Sequence, residues 1–174
     1  MVLEAIVKRN SIRSYQQKNI PEDVLNEIFE AARLAPSASN RQPWKFVIVQ
    51  DKELKEKVMK ASQLHHRLQP FIAEASAIIA GCATDVFHIM PNGVPSHYVD
   101  LSIALEHISL QAAELGLGTC WIGAFDQGKL KEILNIPEDI TIVCLMTLGY
   151  PAGNSIQRKR KPLEDIICYN YYKE

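Results

Sequence analysis

The chain is 174 residues long, with 19 Lys and Arg set against 20 Asp and Glu and a formal charge of −1. That balance speaks against a polyanion-binding domain, so no nucleic-acid partner is expected. A hydrophobic fraction of 47% with 22% charged residues excludes wholesale disorder, and the length suits a single domain over 1–174.

Val2–Lys8 reads as a short helix ending at the polar Arg9-Asn10-Ser11. Pro21 suits a helical first turn, and Val24, Ile28, Ala31 and Ala35 continue at helical spacing until Pro36. Ser37-Ala38-Ser39-Asn40 is turn chemistry, and Phe46-Val47-Ile48-Val49 predicts a buried strand. Asp51 is placed to cap a helix carrying Leu54 and Val58. Ala77-Ile78-Ile79-Ala80 predicts a second core strand. His88–His97 holds Pro91, Asn92, Gly93 and Pro95 and predicts a mobile loop. Leu101, Leu105, Ile108, Ala112 and Leu115 then form one apolar stripe along a helix that Gly116 and Gly118 end. Ile103, Ala104, Leu110 and Ala113 are apolar off that stripe, so burial on most sides is expected, as a dimer interface would give. Thr119–Ala124 predicts a third strand, Asp126 a cap for a short helix through Leu134, and Ile140–Leu148 a central strand. Ile166–Tyr172 is apolar and aromatic and is expected to pack on something. About four strands and five helices without strict alternation predict an α+β fold.

Cys82, Cys120, Cys144 and Cys168 contain no C-x-x-C pair and are too sparse for a disulfide scaffold. No secretory signal pattern opens the chain, and no run approaches the roughly 18 apolar residues of a membrane span. The expectation is a reduced cytoplasmic protein with no membrane partner.

Several candidate chemistries fail on spacing. Gly123–Leu130 nearly spells a phosphate-binding loop, but Leu130 stands where a hydroxyl is required and Asp126 would sit inside the cradle. Among His65, His66, His88, His97 and His107, no pair has the i, i+4 spacing of a helical zinc site, so no metal is expected. Two other stretches are more informative. Arg9, Ser11 and Arg13 alternate, so an extended segment would present two guanidiniums and a hydroxyl on one face, a set suited to phosphate; a solvated loop is the plainer alternative. Pro36–Trp44 gathers short hydroxyl and amide side chains between a helix and a strand, which leaves backbone groups accessible to a flat heterocycle.

Three ordered motifs give these residues a common meaning. Arg9-Asn10-Ser11-Ile12-Arg13-Ser14-Tyr15, Ala35-Pro36-Ser37-Ala38-Ser39-Asn40-Arg41-Gln42-Pro43-Trp44 and Glu114-Leu115-Gly116-Leu117-Gly118-Thr119-Cys120-Trp121-Ile122-Gly123 resemble those of the nitroreductase family of FMN-dependent oxidoreductases. The basic ending Arg158-Lys159-Arg160-Lys161 is similar too, so the resemblance runs from Arg9 to Ile167.

The resemblance implies a central mixed, mainly antiparallel sheet of four to five strands flanked by helices, in an intertwined homodimer. The segment from about 155 to 174 would wrap onto the partner subunit, with FMN at the interface. Arg9, Ser11 and Arg13 would hold the phosphate and ribityl chain, Asn10 would add contacts near the pyrimidine edge or ribityl, and Arg158 and Arg160 would close on the phosphate. Pro36, Ser37, Ser39, Asn40 and Gln42 would line the isoalloxazine pocket, largely from the partner, and the backbone N–H groups of Ile122 and Gly123 would point at flavin N5. NAD(P)H would deliver hydride to the flavin and a small acceptor such as a nitroaromatic or quinone would then collect it, a ping-pong scheme that implies no catalytic side chain. The alternative is an FMN-binding electron-transfer or flavin-handling module without NAD(P)H turnover of its own.

Overall fold

Four strands, β1 (Trp44–Val49), β2 (Ala77–Ala83), β3 (Gly118–Ile122) and β4 (Thr141–Gly149), make one sheet in the order β1-β2-β4-β3. They belong to a computed structural model that describes residues 2–63, 67–153 and 158–172. Every neighbouring pair is antiparallel. The expected parallel component reduces to one isolated bridge, Ser11 to Thr119, on the outer edge of β3.

β2 and β4 are central, which explains their composition. β2 is buried along its whole length, and its Ala-Ile-Ile-Ala-Gly-Cys-Ala run carries nothing that needs water. On one face lie α2 (Glu22–Arg33) and α5 (Ser96–Glu114), packed on Ile79, Met146 and Leu148. On the other lie α3 (Lys52–Ala61), α4 (Phe71–Glu74) and α6 (Gln127–Leu134), packed around Ile78, Ala80 and Leu145. A bulge in β4 skips Val143 in the register with β2, so Val143 and Cys144 pack toward the same helices.

The expected helices form with small differences. α1 spans Val2–Lys8 as expected. α2 ends at Arg33, short of the expected Ala35, because the residue before Pro36 is pushed out of helical geometry. Asp51 and Asp126 cap α3 and α6 by accepting from Leu54 N–H at 2.8 Å and Lys129 N–H at 3.1 Å. In α5 the stripe Leu101, Leu105, Ile108 and Ala112 is fully buried. Gly116 takes φ +76°, the left-handed turn that stops the helix.

One expectation is corrected. His88–His97 is no open loop: Met90 N–H bonds Val94 O at 2.9 Å, Ser96 N–H bonds His88 O at 3.0 Å, and Ile89 bridges Pro95, so the span folds into a small hairpin and Ser96 and His97 already belong to α5. Residues 158–172 are all exposed, so the chain itself does not bury the aromatic end. His65 and His66 lie outside the described residues, as do residues 154–157 of the expected wrapping segment. No described helix is long and apolar enough to cross a membrane.

Candidate cofactor site

Residues 9–13 lie along the free edge of β3. Ile12 donates its N–H to Thr119 O at 2.9 Å, and its side chain is buried while Ser11 and Arg13 are exposed on either side. The alternation expected of an extended segment is therefore present. Below it, the Tyr15 hydroxyl donates to Ile12 O at 3.0 Å and meets Thr147 Oγ1 at 2.6 Å. Burial raises the Tyr15 phenol well above its ordinary value, so this anchor stays neutral.

The two basic clusters meet. Arg9, Asn10, Arg158 and Arg160 line one groove of about 380 Å³, with Ile6 and Val7 from α1 as its apolar wall. Residues 149 positions apart thus face the same space. Arg160 donates to Arg158 O at 2.9 Å, which stiffens that side. Three guanidiniums with no carboxylate in the lining suit a dianion. Ser11 and Arg13 do not line the groove; the Arg13 guanidinium lies over the Phe71 ring, 5.9 Å from its centroid.

The loop Pro36–Gln42 forms at the other end of the sheet. Ser39, Asn40 and Gln42 all hold positive φ, at 52°, 54° and 51°, without a glycine among them. Each is a disfavoured conformation, costing about 1–3 kcal/mol, that persists only where surroundings impose it. Ser37 Oγ accepts from Gln42 N–H at 2.9 Å, and Gln42 Nε2 donates to Asn40 O at 3.1 Å. Arg41 pairs with Asp85 at 3.1 Å, tying the loop to the hairpin that follows β2. Ser39, Asn40 and Gln42 remain exposed.

One chain does not bring the two groups together. Thr119, beside Ser11, aligns through Leu148 with Ala77, while Trp44, beside Gln42, aligns with Ala83 at the far end of β2. Three strand spacings and six residues of strand rise place the groups roughly 25 Å apart, at diagonal corners of the sheet. Pro36, Ser37, Ser39, Asn40 and Gln42 thus sit at one corner, and Arg9, Asn10, Ser11, Arg13, Arg158 and Arg160 at the other.

The third motif lies at the β3 edge. Thr119 turns its carbonyl outward to Ile12, so by strand alternation Trp121 also turns its backbone groups outward and Ile122 turns toward β4; carried one residue past the end of β3, the same alternation sets Gly123 outward. Of the two expected backbone donors, Gly123 is the outward one. A Cβ there would meet nothing within 4 Å, so the space over it is open. Ile122 contributes a buried side chain beneath.

Sequence reasoning missed three polar residues of these corners. Asp100 accepts Ala38 N–H on Oδ1 at 2.9 Å. Glu106 stands 3.8 Å from Arg9, which lines the groove. His97 is buried, and burial pushes it below its ordinary value toward the neutral form. All three sit on α5, where the apolar stripe drew attention away from single polar positions that reach distant loops.

The nitroreductase family model matches residues 6–150. An Archaeoglobus fulgidus protein described as a candidate NADH dehydrogenase or NAD(P)H nitroreductase is 37% identical over 153 residues, covering 86% of this chain and 84% of its own. A Bacillus subtilis protein named FMN reductase (NAD(P)H) is 31% identical over 182 residues, covering 95% of this chain and 72% of its own. The crystal structure of a nitroreductase family protein from Clostridium difficile 630 superposes with a TM-score of 0.86 at 28% identity, covering 99% of both chains.

Proposed function

The chain belongs to the nitroreductase family, and on that premise we propose that it is an FMN-dependent oxidoreductase that moves hydride from NAD(P)H to a small acceptor such as a nitroaromatic compound or a quinone. The observation that carries this reading is the groove where Arg9 and Asn10 meet Arg158 and Arg160, because neither basic cluster alone makes a dianion site. The loop of left-handed residues at Ser39, Asn40 and Gln42 offers exposed polar groups to a flat ring. Gly123 offers an outward N–H with room above it.

These residues fit FMN only as a pair of chains. The phosphate corner and the ring corner are too far apart in one copy, so a second copy must supply the other half. The surface agrees: Val2, Leu3 and Val7 of α1 and Ile166, Tyr169, Tyr171 and Tyr172 of the tail are all exposed, more apolar area than a monomer usually leaves in water. In the homodimer, the segment from about 155 to 174 lies on the partner.

When bound, the flavin supplies the chemistry, taking hydride from NAD(P)H and handing it to the acceptor at the same place in turn. The chain's own residues orient and tune. Arg9, Arg158 and Arg160 neutralise the phosphate, with Ser11 and Arg13 exposed beside them. The outward Gly123 N–H is a fixed donor that favours negative charge facing it. The hydride chemistry itself asks for no side-chain acid or base.

An absorbance spectrum of the protein reconstituted with FMN, taken before and after anaerobic NADH and NADPH, tests the reading. Bleaching of the flavin band, followed by its return on adding a quinone, is the expected outcome. A band that neither coenzyme bleaches leaves a flavin-binding module without turnover. Absence of FMN binding overturns the proposal.

A further inference from the structure

We propose that Asp100 is a positioning residue whose buried carboxylate holds the loop from Ser37 to Gln42 in the shape that receives the flavin ring; this rests on the reading of that loop as half of the cofactor site. Three of the loop's residues are left-handed without being glycine. Such a run needs its surroundings to over-determine it. The bonds inside the loop, Ser37 Oγ to Gln42 N–H and Gln42 Nε2 to Asn40 O, do not tie it to the rest of the molecule.

Two acids do. Asp85 pairs with the exposed Arg41, and an exposed pair holds weakly. Asp100, on α5, accepts Ala38 N–H at 2.9 Å and is only 2% exposed. A charge-assisted bond shielded from water is the stronger of the two. It also reaches the loop from the core side, so it sets the loop's height above α5 as well as its shape.

The surroundings argue against a role for Asp100 in stability alone. Among the described residues, its Oδ2 has no hydrogen-bond partner, and neither do Ser96 Oγ nor either ring nitrogen of His97, all buried beside it at the start of α5. Burial keeps His97 toward the neutral form, so it does not neutralise the carboxylate, and Asp85 is the other acid that His97 senses. A buried carboxylate with half its acceptor capacity unmet is unfavourable for folding. Departures of this kind gather at sites kept for a task, and the hydrogen bond that Asp100 accepts comes from the loop.

The test compares FMN-loaded wild type with three variants. Asp100→Ala removes the acceptor, Asp100→Asn keeps an oxygen for Ala38, and Asp100→Glu keeps the charge but displaces it by one methylene. The readouts are FMN dissociation constant, visible circular dichroism of the bound flavin, and thermal unfolding of the cofactor-free protein. We expect Asp100→Ala to weaken FMN binding about 10- to 100-fold and to change the dichroism band. Asp100→Asn should recover most of both, and Asp100→Glu should fall between. Unchanged affinity and dichroism in Asp100→Ala overturn the proposal. So does a loss of apoprotein stability with an unaltered dichroism band, since that is a purely structural role. If Asp100→Ala does not fold, the other two variants decide: a normal Asn variant beside an impaired Glu variant supports the proposal, and two normal variants overturn it. A wild type that binds no FMN overturns the flavin reading and this proposal with it, whereas normal FMN binding with an indifferent Asp100→Ala overturns this one alone.

Discussion

Arg9 Nε stands 3.8 Å from Glu106 Oε1, across the gap between the end of α1 and the middle of α5. Burial pushes the Glu106 carboxyl above its ordinary value, while Arg9, a hydrogen bond from Trp121 and the nearby His107 pull it back down. When ionised, it competes with a phosphate for Arg9. Glu106→Gln is expected to tighten FMN binding about two- to fivefold at pH 8, the scale of a partly exposed ion pair at about 0.2–1 kcal/mol. Lowering the pH through the raised Glu106 value protonates the wild type, so the two affinities should converge. Calorimetric titration of both proteins at pH 8 and at successively lower pH checks this, and equal affinity at pH 8 refutes it. Stability carries the same sign. The folded chain holds this proton more tightly than the unfolded one, so the contribution is full below the ordinary carboxyl value and is lost as pH rises through the raised one.

The groove makes a second claim, about the phosphate itself. Arg9→Ala, Arg158→Ala and Arg160→Ala should each weaken FMN about tenfold, as expected for one charge-assisted contact. Riboflavin, which lacks the phosphate, should bind wild type and variants alike. Arg13 faces Phe71 rather than the groove, so Arg13→Ala should affect FMN less than the other three. Fluorescence titration with both flavins gives the ratio directly. Equal losses for FMN and riboflavin would place the phosphate elsewhere.

What could be read from the chain follows how far apart the deciding residues lie. Asp51 and Asp126 each cap a donor three positions on, so their roles were visible locally. The α5 stripe was visible because helical spacing repeats over about four turns. α4 is four residues long, too short to show a period, and was missed. Asp100 and Ala38 are 62 positions apart, and nothing near Asp100 hints at a loop on another element. The outward turn of Gly123 rather than Ile122 depends on which side Thr119 faces, and that is decided by Ile12 across the strand edge. The meeting of Arg9 with Arg158 and Arg160 was legible only through the family resemblance, since charge patterning alone makes each cluster an ordinary solvated turn.

The thiols give a prediction about reactivity. Burial pushes the Cys82 and Cys144 thiols up to about 11 and raises Cys120 as well, which disfavours the nucleophilic thiolate at all three. Arg9 and Arg13 pull Cys120 down, but not enough to offset burial. In native protein at pH 8, a chromogenic disulfide reagent should therefore modify at most the exposed Cys168. All four should react in urea. Rapid native modification of Cys82, Cys120 or Cys144, located by peptide mapping, would show that the core opens more readily than its packing implies.

Gly118 is where the phosphate corner is most exposed to a single added atom. It opens β3 directly beneath Ile12, and a Cβ there would overlap the Ile12 side chain and come within 3.2 Å of Pro151 Cγ. Ile12 is the buried residue between Ser11 and Arg13, and its N–H on Thr119 holds residues 9–13 to the strand edge. Gly118→Ala must therefore lift that segment or strain it. Overpacking of this kind costs about 1–3 kcal/mol, which for a chain this long lowers Tm by roughly 2–12 °C. FMN affinity should fall as well, because Arg9 moves with the segment. Ile12→Ala makes room, so the double variant should retain more affinity than the two single losses predict, with a coupling of about 0.5–3 kcal/mol for residues in direct contact. Strict additivity in thermal unfolding and FMN titration would mean that Ile12 does not seat the segment on Gly118, and that the groove owes its shape to the other end of the chain.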